Sequence, residues 1–145
     1  MSFYPDTATF YVVMTDLFGR VIAAPGVLKP LTDGKVLLRM TVTEPGAVLI
    51  VDGRSNPPRF IPGPTGPGAA GAVSGQPDIG LRIPADVLHN VWLNRIRLRD
   101  AFMAGKMHLD TSPLRALGLL SSLTGMFRFT EQIYPQVLRE HDMLK

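Results

Sequence analysis

The chain of 145 residues carries 15 Lys and Arg against 12 Asp and Glu, a formal charge of +3, with 46% hydrophobic residues, 19% charged residues and no cysteine. This composition excludes disulfide scaffolds, thiolate catalysis and Cys-based zinc sites, and no apolar run reaches the length of about 20 residues that a helical membrane span requires. The length suits one domain, residues 1–145, with a single core, and the evenly mixed charge offers no polybasic arm for nucleic acid.

The first element expected is a helix over Asp6–Ile22, within an N-terminal segment of residues 1–26. Phe10, Val13, Met14, Leu17, Phe18 and Val21 recur at helical spacing and share one face. Asp6 is placed to cap its first turn, and Ala24-Pro25-Gly26 to end it. Strand patterning follows. In Lys35–Thr43, residues Val36, Leu38, Met40 and Val42 alternate onto one face, and Glu44-Pro45-Gly46 turns the chain into the apolar run Ala47–Val51. Strand, turn and strand make an antiparallel hairpin, with a third short strand at Arg59–Pro62. Residues 63–75 are rich in glycine and proline, which neither a helix nor a central strand tolerates, so a loop is expected there. Within it Gly66-x-Gly68-x-x-Gly71 matches a dinucleotide-binding spacing. Pro67 lies inside that motif and Ser74-Gly75-Gln76-Pro77 follows in place of a helix, so it reads as loop.

The second half is more regular. Asp78–Ile83 places Ile79, Leu81 and Ile83 on one strand face. Pro84 opens a helix in its first turn, Asp86 complements the positive end, and Val87, Leu88, Val91 and Trp92 form the apolar side. Arg97–Gly105 reads as a short helix stopped by Gly105, and Met107–Asp110 as a short strand. Ser112-Pro113 pairs a capping hydroxyl with proline at the first helical position. It starts a helical segment over 112–140, where Leu119, Leu120, Leu123, Phe127, Thr130, Tyr134 and Val137 recur at helical spacing. Gly125 and Pro135 are expected to bend it. The order is that of an α+β layered domain.

Groups for catalysis are sparse. The histidines are His89, His108 and His141, and no serine lies in a G-x-S-x-G elbow. His89 with Asp86, three residues earlier, is the best acid–base pair available, and a lone pair of this kind is ordinarily a surface contact. No three ligands share a metal-site spacing. Neither enzymatic activity nor a metal or cofactor is expected. Arg95, Arg97 and Arg99 alternate with Ile96 and Leu98, which puts three guanidiniums on one side of an extended turn. They read as a solvated edge, with docking on an anionic membrane as the functional alternative. What remains is apolar surface. Leu88, Trp92, Phe102, Met103, Leu120, Leu123 and Phe127 each read singly as core. As a set they offer more apolar surface than one compact core consumes, and the seven methionines suit a pliable pocket.

The run Pro77-Asp78-Ile79-Gly80-Leu81-Arg82-Ile83-Pro84-Ala85-Asp86-Val87-Leu88-His89, then Val91-Trp92-Leu93 and Leu98-Arg99-Asp100, resembles the sterol carrier protein 2 (SCP2) sterol-binding domain family. Ala101-Phe102-Met103-Ala104-Gly105-Lys106 matches the family's short helix before a strand. The likeness is strong over residues 77–110 and extends in element order over 35–145. It implies a mostly antiparallel five-stranded sheet covered by helices on one face. It further implies an apolar tunnel between sheet and helices for fatty acyl, sterol or isoprenoid lipids, and no catalytic residues. The glycine- and proline-rich stretch over 63–75 replaces a normally short connection. No peroxisomal signal ends the chain and no signal peptide opens it, so a bacterial-type, stand-alone, cytoplasmic member is expected.

The reading is therefore non-catalytic binding or transfer of a hydrophobic lipid, with transient membrane contact and no nucleic-acid partner. Leu88, Trp92, Phe102, Met103, Leu120, Leu123 and Phe127 are the candidate ligand contacts. The rival is an interaction module with a filled core, which dimerises or serves as accessory subunit to an enzyme.

Overall fold

A computed structural model describes residues 3–44, 46–55, 57–62 and 77–143 of the chain. The loop expected over 63–75, with its Gly66-x-Gly68-x-x-Gly71 spacing, lies outside the described residues.

Helix α1 (Thr7–Ala23) begins at Asp6, whose carboxylate accepts the Thr9 N–H at 2.7 Å. All six residues of its periodic face are buried, so amphipathic spacing and a capping side chain suffice to define it. The five-residue α2 (Lys29–Asp33) follows, with Pro30 in its first turn. Strands β1 (Leu37–Thr43) and β2 (Ala47–Asp52) form the hairpin, with Met40 opposite Leu49, and β3 (Arg59–Pro62) pairs antiparallel with β2. Then come β4 (Ile79–Pro84), α3 (Ala85–Trp92), α4 (Leu98–Met103), β5 (His108–Leu109), α5 (Pro113–Ser121) and α6 (Thr124–Glu140).

The five strands lie in the order β3-β2-β1-β4-β5. A mostly antiparallel sheet was expected; the sheet is mixed, because β4 runs parallel to β1 at its centre, with Met40 opposite Leu81. Turn residues report only the pairing of strands adjacent in sequence. A strand that joins on the far side of β1 has no such local signature. Leu38, Met40, Val42, Leu49, Val51, Ile79, Leu81 and Ile83 belong to one core with the buried faces of α1, α3 and α6. The other sheet face carries a small separate cluster of Leu37, Ile50 and Ile61 with Val48. Met14, Met40, Met107 and Met126 are core residues, so these thioethers fill the interior instead of furnishing a pliable pocket.

Three helix boundaries differ from expectation. Pro84 is the extended N-cap of α3 and the last residue of β4, one step before the first helical turn. The Ser112 side chain makes no capping hydrogen bond. The C-terminal segment breaks at Ser122–Leu123, while Gly125 and Pro135 lie inside α6. The break follows from hydroxyl chemistry. Ser121 Oγ donates to Leu117 O at 2.9 Å, Ser122 Oγ to Leu119 O, and Thr124 Oγ1 to Ser121 O at 2.9 Å. These side-chain bonds to carbonyls of the last turn compete with continuation of the helix.

Candidate functional site

Helices α3 to α6 enclose a cavity of about 480 Å³, within the range of about 300–1,000 Å³ that small-molecule sites occupy. Its apolar lining comes from Val91, Ile96, Leu98, Leu117, Leu120 and Phe127, and its polar lining from Asn94, Arg97, Arg99, Ser121, Thr124 and Arg128. The local sequence dictates this layout. Asn94, with φ of 59°, lets the chain leave α3 sharply, and Arg97 stands extended as the N-cap of α4. The break between α5 and α6 then sets Leu120 and Phe127 on opposite sides of a bend. No carboxylate lines the cavity. Arg97, Arg99 and Arg128 are exposed.

Beside α3 and α6, the N-terminal residues form a strap. The Phe3 N–H donates to Asp86 Oδ1 at 2.8 Å, and the Phe3 ring stacks on His89 with centroids 3.8 Å apart. His89 Nδ1 bonds Tyr134 Oη at 2.7 Å, and Tyr134 Oη bonds Tyr4 Oη. Burial, reinforced by Arg95 and opposed by Asp86, lowers the His89 pKa to about 4; burial raises both phenols. Asp86 and His89 thus serve different partners and do not form an acid–base pair. Their side chains are engaged in fixing the strap.

A second cavity of about 390 Å³ lies where β1 and β4 end, lined by Thr43, Arg82, Ile83, Pro84, Val87, Gly105, Lys106 and His108. Arg82 is held there by Asp110 at 3.0 Å. At the end of β2, Asp52 is buried and accepts from Arg54 at 2.9 Å and Arg59 at 3.5 Å. The Arg54 guanidinium, helped by the Arg54 N–H and Arg59, holds its carboxyl at a pKa of about 2. Among the described residues no cluster of His, Cys, Asp or Glu could hold a metal ion, and no helix is long and apolar enough to cross a membrane.

No protein-family model and no curated protein matches the sequence. Solved structures do match. The sterol carrier protein 2 from Yarrowia lipolytica, in its apo form, superposes with a TM-score of 0.56 at 15% identity, covering 81% of this chain and 88% of its own. The sterol carrier protein domain 2 of Helicoverpa armigera gives 0.59 at 12% identity, covering 89% and 93%. A ubiquinone synthesis protein, UbiJ-SCP2, gives 0.53 at 18%, covering 89% and 97%. The chain has the SCP2 fold. Its five-stranded sheet with covering helices is what the resemblance over residues 77–110 implied, apart from the parallel β1–β4 pair.

On the SCP2 fold the seven apolar candidates separate. Leu120 and Phe127 line the α3–α6 cavity. Trp92 is buried one layer behind, its ring 6.1 Å from that of Phe127, and its Nε1 has no acceptor among the described residues. Leu88 and Leu123 are in the closed core, Phe102 packs partly buried against it, and Met103 is 74% exposed. Sequence reasoning missed Val91, Ile96, Leu98 and Leu117 as lining residues, and read Arg97 and Arg99 as a solvated edge. The alternation of Arg95 to Arg99 was the available signal for the two arginines. It also included Arg95, which turns away to Asn90 Oδ1 at 3.4 Å.

Proposed function

We propose that the chain is a non-catalytic lipid-binding domain that receives the tail of a hydrophobic lipid in the α3–α6 cavity. The observation that carries this reading is an open cavity floored by six apolar side chains on a fold shared with proteins named as sterol carriers. The space between sheet and helices is occupied by core side chains, so the tail enters among the helices. Leu120 and Phe127 contact it directly, and Trp92 senses it through Phe127. Burying about 12 methylenes contributes roughly 10 kcal/mol, from which association removes several kcal/mol. Micromolar affinity follows, with weak discrimination between chains of similar length, since one methylene is worth about 1 kcal/mol. Pickup from a membrane surface and delivery to a partner enzyme are the steps such a domain performs, in keeping with a neighbour that is named a ubiquinone synthesis protein.

The test is displacement of a fluorescent fatty acid by unlabelled lipid, read alongside intrinsic emission. Saturable micromolar binding is expected, with a shift in the emission of Trp92, the only tryptophan. Absence of saturable binding with acyl, sterol and isoprenoid probes rejects the lipid reading. It favours the interaction module, for which Val12, Met103 and Leu114, exposed at 54%, 74% and 87%, are the available large apolar contacts among the described residues.

A further inference from the structure

We infer that the lipid taken by this cavity has an anionic oxygen head group, a phosphate or a carboxylate, held at the mouth by Arg97, Arg99 and Arg128. This rests on the lipid reading above and narrows it: the rim selects anionic amphiphiles over neutral lipids of equal tail length.

Two separate elements bring the three guanidiniums to one opening. Arg97 and Arg99 flank Leu98 at the start of α4, and Arg128 follows Phe127 in the second turn of α6. Five arginines elsewhere face carboxylates: Arg20 with Asp16, Arg54 and Arg59 with Asp52, Arg82 with Asp110, Arg115 with Asp78. Arg39, Arg95 and Arg139 do not among the described residues, but none of these three lines the cavity. Among the described residues, the side chains of Arg97, Arg99 and Arg128 have neither an ion pair nor a hydrogen bond. The other polar lining residues are already engaged. Asn94 donates to Glu131 at 3.1 Å, Ser121 to Leu117 O and Thr124 to Ser121 O. The uncommitted donors at the mouth are therefore the cationic ones.

Three like charges around one opening repel one another, modestly because all three are exposed to solvent. An anion seated among them relieves that repulsion. The planar guanidinium fork also matches the oxygen geometry of phosphate and carboxylate. A sterol or alcohol head group brings no charge and leaves the repulsion in place. Floor and rim thus match the two ends of one molecule, tail inward and anion outward.

The experiment compares decyl phosphate, decanol and inorganic phosphate by titration calorimetry on the full chain. Decyl phosphate is expected to bind at least about tenfold tighter than decanol in dilute buffer, and the preference to shrink at about 1 M salt, where screening acts within about 3 Å. The triple variant Arg97→Gln, Arg99→Gln, Arg128→Gln is expected to lose the preference and keep its affinity for decanol, which also shows that it folds. Should the triple variant not fold, Arg128→Gln alone and the salt dependence of the unmodified chain decide. Equal affinity for decyl phosphate and decanol, or a preference that survives the substitutions, overturns the inference and leaves the lipid reading standing. Inorganic phosphate binding as tightly as decyl phosphate also overturns it, in favour of a free-anion site. Failure of both decyl probes to bind overturns the lipid reading itself.

Discussion

His89 stays neutral between Phe3 and Tyr134 because protonation would place a cation in a half-buried aromatic setting, with Arg95 nearby and only Asp86 in opposition. Its pKa of about 4 in the folded chain lies below the ordinary value of 6.5. Between those values the unfolded chain binds a proton that the folded chain refuses, so stability falls as pH falls through this window and is whole above it. From pH 7 to pH 5 the loss expected is about 1–2 kcal/mol. Urea denaturation at the two pH values measures it. In His89→Gln, which retains a hydrogen-bonding side chain for Tyr134 but cannot titrate, the difference should shrink by most of that amount. An unchanged pH dependence would assign it to other groups.

At the level of elements, Gly53 shows why α2 escaped notice. Its N–H donates to Val36 O at 2.8 Å, and a Cβ there would meet Leu31 O at 2.5 Å and Val36 O at 2.7 Å. The end of β2 thus presses directly on the backbone of α2, a helix too short to show periodicity and held by tertiary contact. Gly53→Ala is expected to cost about 1–3 kcal/mol in chemical denaturation. Gly46→Ala, with open space around its Cβ, should be nearly neutral; equal effects would refute the close-approach account. The elements legible from sequence were those whose pattern repeats within one segment, such as the six-residue face of α1 or the alternation of β1. The parallel β1–β4 pair and the break between α5 and α6 depend on partners distant in sequence or on hydroxyl bonds to carbonyls. The site was legible to the same limited extent. Apolarity singled out Leu120 and Phe127, which line the cavity, but it cannot separate a residue facing a cavity, like Phe127, from one sealed behind it, like Trp92. Nor does any local pattern tell that Arg128 shares a mouth with Arg97 and Arg99.

Across the whole molecule, α1 rests against α6. Tyr4 reaches Tyr134, Arg20 bonds Glu140 at 2.6 Å, and His141 bonds Asp16 at 2.9 Å. Helix α1 therefore closes on a helix that lies roughly a hundred residues later in the chain. Synthesis proceeds at about 5–20 residues per second, so the roughly hundred residues between them leave α1 without its α6 contact for about 5–20 s, with β2 and β3 of its later partners made early. A chain ending before Thr124 is expected to remain sensitive to protease at concentrations that spare the full chain; resistance of the shortened chain would show that the sheet alone shields α1. Translation thus passes through a stage in which the part of α1 that α6 later covers is open to chaperones and to other nascent chains, and the yield of folded protein depends on how quickly α6 follows.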